Sequence, residues 1–195
     1  MNRPAARVRR LGADPRADFA RLHCAANESG WCQCVAWWVP GWEGFGERTA
    51  AQNAELRSAL FARGVRDGFV LEVHGEPVGW CQAWPRDELP GLAHDFELAP
   101  DSAVVALPCV LLAPSHRGQG WLRVLLEGVL AALSAEGVRR VEAYPRLEDC
   151  EDPLEAWNGP RSLWESLGFR ESARGERRAV LARSLSEASA PQESA

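Results

Sequence analysis

The segment Arg117-Gly-Gln-Gly120 has residue types that suit an anion. Glycine lets backbone amides come close to a ligand, and the first amides of a helix are unpaired and lie at the positive end of its dipole. A pyrophosphate fits such a loop, with Arg117 adding charge; a plain strand-to-helix turn that needs glycine for its geometry would read the same. Of two other phosphate loops, the first is excluded and the second fits poorly. A Walker loop ends in Gly-Lys, but every one of the 22 basic residues is arginine, which also leaves no lysine for a Schiff base. A dinucleotide fingerprint needs a third glycine where Arg123 stands and a tight strand-to-glycine turn where Pro-Ser-His-Arg intervenes, although Glu142 is suitably spaced for a ribose contact.

Other side chains can carry chemistry. Glu142 and Tyr144 alternate to one face of a predicted strand, so Glu142 is a candidate base and Tyr144, the single tyrosine, a candidate acid. A paired strand carboxylate and a buried phenol are the plain alternatives. Cys109 is a candidate thioester-forming nucleophile, but nothing adjacent in sequence activates it. Cys32 and Cys34, with His23 and Cys24 upstream, raise the question of zinc; no second spaced pair completes four ligands, and no metal is expected. Trp31, Trp37, Trp38, Trp42 and Phe45 can form an aromatic wall over an acceptor or a core patch. Glu148, Asp149, Glu151, Asp152 and Glu155 can attract a cationic amine or form a solvated loop.

The elements that must position these residues alternate. A strand is expected over residues 7–11, then a helix opened by Asp14-Pro15, the tryptophan-rich segment, and a helix over 47–63 closed by Gly64. Residues 69–73 and 77–84 read as a hairpin turning at His74-Gly75-Glu76, followed by a loop to Pro100. The apolar run 103–112 is a buried strand with Pro108 in its middle; proline cannot donate to a ladder, so a bulge or a splayed edge is expected there. After the glycine loop, Leu122, Leu125, Leu126, Val129, Leu130 and Leu133 fall on one helical face. Gly137 ends that helix and residues 138–144 form the next strand, parallel to the first. A helix over 161–167 and a closing strand over 178–182 complete residues 1–183 as one domain, with 184–195 as a flexible tail.

Composition limits the alternatives. A chain of 195 residues, 46% hydrophobic and 25% charged, suits one soluble α/β domain. Its net charge of −5 gives no general drive toward nucleic acid, and no apolar stretch reaches the roughly 20 residues of a membrane span. Six cysteines are too few for a disulfide scaffold at this length, so reduced thiols and a cytoplasmic location are expected.

Leu112-Ala-Pro-Ser-His-Arg-Gly-Gln-Gly120 resembles the acyl-CoA loop of the GNAT superfamily of N-acyltransferases, and Leu167-Gly-Phe-Arg170 resembles its C-terminal LGF motif. Trp31-Cys-Gln-Cys34 with Trp38, Val78-Gly-Trp-Cys81 with Pro85-Arg86, Pro108-Cys-Val110 and Glu142-Ala-Tyr-Pro145 together resemble one bacterial subgroup. The resemblance implies a central splayed, mixed, mostly antiparallel sheet flanked by helices, with pantetheine in the gap between the strands ending at Leu112 and Tyr144. Pantetheine would pair with the backbone of Cys109, Val110, Leu111 and Leu112. Pyrophosphate would sit on the amides of Arg117, Gly118, Gln119, Gly120, Trp121 and Leu122. It further implies acetyl-CoA as donor and a small-molecule or peptide amine as acceptor, near Trp31, Trp38 and Trp80, and it leaves a homodimer open. The alternative is a non-catalytic acyl-CoA sensor. Three departures bear on that choice: Leu122 replaces a small residue, Trp164 stands where many members carry a tyrosine, and residues 103–112 hold no carboxylate.

Overall fold

A computed structural model describes residues 5–12, 14–24, 30–41, 44–148 and 156–185. Hydrogen bonding divides the strands into two sheets. The first, in order β1 (Ala6–Arg10), β2 (Gly68–Val73), β3 (Glu76–Gln82) and β6 (Val110–Leu112), is antiparallel throughout. The second runs β4 (Trp84–Pro85), β5 (Val104–Leu107), β7 (Arg140–Ala143), β9 (Ala179–Ser184), β8 (Arg170–Arg174). Within it β5 and β7 are parallel, from Val104 opposite Arg140 to Leu107 opposite Ala143.

The chain crosses between the sheets three times, after β3, after β5 and between β6 and β7. The β2–β3 hairpin turns on His74 and Gly75, both with positive φ (53° and 81°), the conformation that matches strand twist in a two-residue loop. Trp84, expected at the end of β3, is not part of it. The first strand ends at Gln82, and Trp84 pairs with Ala106 in the second sheet. The second crossing is at Pro108, where the expected single strand over 103–112 breaks into β5 and β6.

Strand alternation fills two cores. Phe69, Leu71 and Val73 of the first sheet, and Leu107, Val141, Ala143 and Leu181 of the second, face α4 (Trp121–Ala135) and α5 (Arg161–Ser166) in one continuous cluster. The α4 face is the one its spacing predicts: Leu125, Leu126, Val129, Leu130 and Leu133 are buried. On the opposite side, Val70 and Trp80 pack under α1 (Arg16–Leu22) and the end of α2 (Ala50–Ala62). Thr49 and Gln52 form a capping box that starts α2, so this helix begins after the Phe45–Glu47 turn rather than at Glu47.

Two elements depart from expectation. The loop to Pro100 contains α3 (Pro90–Phe96), a helix of seven residues opened by proline, too short to show a period but burying Leu92. β8 has almost no buried residue and thus no apolar alternation to read. The domain also extends beyond residue 183: β9 includes Ser184, and Leu185 is buried with its N–H bonded to the Arg139 carbonyl (2.8 Å). Residues 186–195 lie outside the described residues, as do Trp42, Cys150, Asp149, Glu151, Asp152 and Glu155.

Candidate active site

Beyond Leu107 and Ala143 the parallel pairing stops, because Pro108 has no N–H and the chain turns toward β3. The Gln82 N–H then donates to the Cys109 carbonyl (2.8 Å) and the Ala113 N–H to the Val78 carbonyl (2.8 Å), so Cys109, Leu111 and Ala113 direct their backbone groups into the sheet. By alternation Val110 and Leu112 face the other way, toward the splay. The bonds agree: Val110 donates to the Trp157 carbonyl (2.7 Å), and Arg117 Nε donates to the Leu112 carbonyl (3.2 Å). The expectation that all of Cys109, Val110, Leu111 and Leu112 offer backbone pairs is therefore corrected. Cys109 and Leu111 are engaged with β3, the Val110 N–H is used, and the Val110 carbonyl and Leu112 N–H are the groups directed at the gap. Asn158 anchors the floor of the splay, donating to the Pro108 carbonyl (2.8 Å) while its own carbonyl accepts from Trp164 Nε1 (2.8 Å).

The strand delivers the chain into the glycine loop. A 3₁₀ turn at Pro114–His116 is tied to the loop by the Gln119 side chain, which donates to the Ser115 carbonyl (2.7 Å). Gly118 and Gly120 both adopt left-handed backbone (φ 71° and 79°). A Cβ on Gly118 would meet nothing within 4 Å, so conformation rather than crowding calls for glycine there. Gly120 precedes the first residue of α4 and brings no side-chain cap, and Trp121 and Leu122 begin the first turn directly after the loop. Trp121 is buried in the core and anchors that turn; Leu122 is half-buried. A 15-residue helix whose start has no side-chain cap, beside Arg117 and downstream of β6, has the chemistry for a pyrophosphate followed by an extended amide-bearing arm.

Glu142 and Tyr144 do share a face, as alternation predicts, but that face is closed. Glu142 is 1% exposed and Tyr144 0%. Glu142 accepts from Arg86 Nη1 (3.1 and 3.3 Å to its two oxygens), from Arg140 Nη2 (3.1 Å) and from the Tyr144 hydroxyl (3.0 Å). Burial, and then the Glu142 carboxylate, push the Tyr144 phenol well up. Giving up its proton would leave a phenolate beside a carboxylate in a dry pocket with Trp37, Leu89 and Leu92. The base role for Glu142 and the acid role for Tyr144 thus give way to a structural one: a carboxylate with two arginines and a phenol on it is already saturated.

A sequence profile of the acetyltransferase (GNAT) family matches residues 31–169, which spans the tryptophan segment, the splay, the glycine loop and the Leu-Gly-Phe motif. The chain belongs to this family. No curated protein matches it in sequence. Among solved structures it is similar to an acetyltransferase from Thermus thermophilus (19% identity, TM-score 0.59, covering 95% of this chain and 100% of that one). It is also similar to a putative acetyltransferase from Salmonella typhimurium solved with its cofactor acetyl-CoA (19%, TM-score 0.56, 97% and 99%). A third is the ribosomal-protein-S18-alanine N-acetyltransferase from Escherichia coli (15%, TM-score 0.52, 98% and 99%). At these identities the likeness concerns the fold.

Within this GNAT domain the expected acceptor residues are scattered. Trp80 is wholly buried under α1, and its Nε1 has no hydrogen-bond partner among the described residues. Trp38 donates to Asp67 Oδ2 (2.8 Å), and Trp31, 39% exposed, donates to the Arg48 carbonyl (2.7 Å) and packs edge-on against Phe45. Trp157 does meet the splay, its carbonyl accepting from the Val110 N–H (2.7 Å). Sequence reasoning missed Trp157, which sits 5.7 Å from the Trp37 ring and under the Arg178 guanidinium (5.0 Å). Trp157-Asn158-Gly159 carries no periodic signal, and the cue available was a tryptophan just ahead of a Gly-Pro helix start. Trp164, expected where many family members carry a tyrosine, is buried, and its Nε1 is spent on the Asn158 carbonyl. Among the described residues no group of three or more His, Cys, Asp or Glu is placed to hold a metal ion, and no helix is long and apolar enough to cross a membrane.

Proposed function

We propose that the protein transfers an acetyl group from acetyl-CoA to the amine of a small molecule or peptide, by direct attack within a ternary complex. The observation that carries this reading is the splay at Pro108, whose β6 strand leads through the Pro114–His116 turn into the left-handed Gly118–Gly120 loop at the head of α4. In it the pantetheine arm runs along β6 against the Val110 carbonyl and the Leu112 N–H, which sets the thioester at the strand break beside Cys109. The acceptor arrives from the side of the splay on which half-buried Trp157 lies. Rate comes from holding amine and thioester together and from backbone dipoles, since the nearest carboxylate and phenol are committed to each other.

Calorimetric binding of acetyl-CoA, followed by CoA release across a panel of amines, tests the reading. Release with at least one amine supports it, and failure to bind acetyl-CoA overturns it. A second reading, an acyl-CoA sensor without turnover, is favoured by the saturation of Glu142 and by Trp164 in place of a tyrosine. Tight binding with no release for any amine, peptides included, would select it.

A further inference from the structure

Cys34 and Cys109 are 75 positions apart in sequence, yet their sulfurs are 3.2 Å apart. Both are nearly buried, at 5% and 6% exposure, and neither is in a disulfide. Cys109 follows Pro108 at the strand break, fixed by the Gln82 N–H on its carbonyl. Cys34 is held from the other side. Its carbonyl accepts from Arg57 Nη2 (2.8 Å) and Gln82 Nε2 (3.4 Å), and Arg57 is clamped to buried Asp67 (2.7 Å). The backbone pays in strain: Gln33 and Cys34 have φ of 51° and 44°, a region that costs a non-glycine residue on the order of 1–3 kcal/mol.

A third group completes the arrangement. His23 Nδ1 lies 3.2 Å from the Phe19 carbonyl, which can only accept, so Nδ1 carries the hydrogen of the neutral ring. Nε2 then presents its lone pair to Cys34 Sγ at 3.1 Å. Stacking on Phe19 at 3.8 Å fixes the ring. The contact with Cys109, and then burial, push the Cys34 thiol well up, so it rests as a thiol, with His23 Nε2 the ring nitrogen against its sulfur.

We propose that Cys34 and Cys109 form a peroxide-reactive dithiol, a modification site through which oxidation ties the tryptophan-rich segment to the strand break. Hydrogen peroxide transfers one oxygen to the Cys109 sulfur, giving a sulfenic acid and one water. The Cys34 sulfur, passing its proton to His23 Nε2, attacks the Cys109 sulfur; the S–O bond breaks, and the departing hydroxide takes that proton and leaves as the second water. Two thiols lose two electrons to one peroxide, and a disulfide forms. The sulfurs must close from 3.2 Å to about 2.05 Å, displacing Cys109 by roughly an ångström. Resting on the reading of the splay as the acetyl-CoA site, a shift of that size beside the thioester lowers transfer on the order of 10²-fold.

The test uses the full reduced chain and stoichiometric hydrogen peroxide, with and without acetyl-CoA. Intact mass should show the loss of two hydrogens, peptide mapping should join residue 34 to residue 109, and bound acetyl-CoA should slow the linkage. Cys34→Ala should instead leave a sulfenic acid at Cys109 that dimedone traps. In the wild type, transfer should fall with the linkage and return when a dithiol reductant opens it. Cross-links at other cysteines, or none while Cys24 oxidises, overturn the dithiol. A 34–109 link with unchanged transfer overturns its coupling to the splay. Because mass and mapping need no turnover, a protein that links 34 to 109 but never releases CoA bears out the dithiol and counts against the proposed function alone.

Discussion

Tyr144 and Gly118 show how far a single residue type can mislead or inform. A lone tyrosine on a splay-bordering strand has the right chemistry for an acid, but the Tyr144 hydroxyl is spent on Glu142 at 3.0 Å. Tyr144→Phe is therefore expected to keep turnover within about threefold and to lose roughly 1–2 kcal/mol of stability, the cost of leaving a buried charged acceptor short of one donor. Parallel kinetics and urea melts check it. The phenol's raised pKa adds a pH signature: the fold favours the neutral form, so its contribution is intact below the ordinary tyrosine value near 10 and is lost as the pH climbs above it. The alkaline fall in wild-type stability should be shallower in Tyr144→Phe. At Gly118 a methyl group has open space but the wrong φ, so Gly118→Ala should fold at a cost of about 1–2 kcal/mol while weakening acetyl-CoA at least tenfold by calorimetry. Unchanged affinity would remove the loop from the phosphate site.

Segments behave differently from residues because their positions are set by partners distant in sequence. The tryptophan-rich segment is held by a buried network: Asp67 accepts from Arg57 (2.7 Å), Trp38 (2.8 Å) and Gln82 (2.9 Å), and Arg57 donates to the carbonyls of Gln33 and Cys34. Removing one member strands the opposite charge, so Asp67→Ala should destabilise by about 3–5 kcal/mol in chemical denaturation, and a loss below 1 kcal/mol would show the pair to be solvated. No sequence cue joins Asp67 to Arg57, which is why this segment reads as an acceptor wall. By contrast, the glycine loop, the face of α4 and the break at Pro108 were legible, since each follows from local chemistry: φ freedom, helical period, a missing N–H. Trp157 and the Cys34–Cys109 contact were not, because both depend on which strands the break releases from each other. Trp157→Ala should accordingly raise the acceptor's KM more than it changes acetyl-CoA binding.

At the scale of the molecule, one boundary can be measured directly. A chain ending at Leu185 should be more stable than one ending at Arg183 by about 2 kcal/mol, the burial of one leucine, with thermal melts as the check. The division into two sheets also orders events in time. The β2–β3 hairpin closes through a two-residue turn, a step of microseconds, whereas β5 and β7 cannot pair until the chain between Leu107 and Arg140, α4 included, has been brought round. The first sheet's hairpin belongs to an early nucleus and the parallel pair to a late closure. Substitutions in the hairpin turn should slow folding, while Val141→Ala should chiefly speed unfolding. The break at Pro108 is then where the early half of the chain waits for the late one, and the gap proposed to hold the cofactor is the seam left between two episodes of folding.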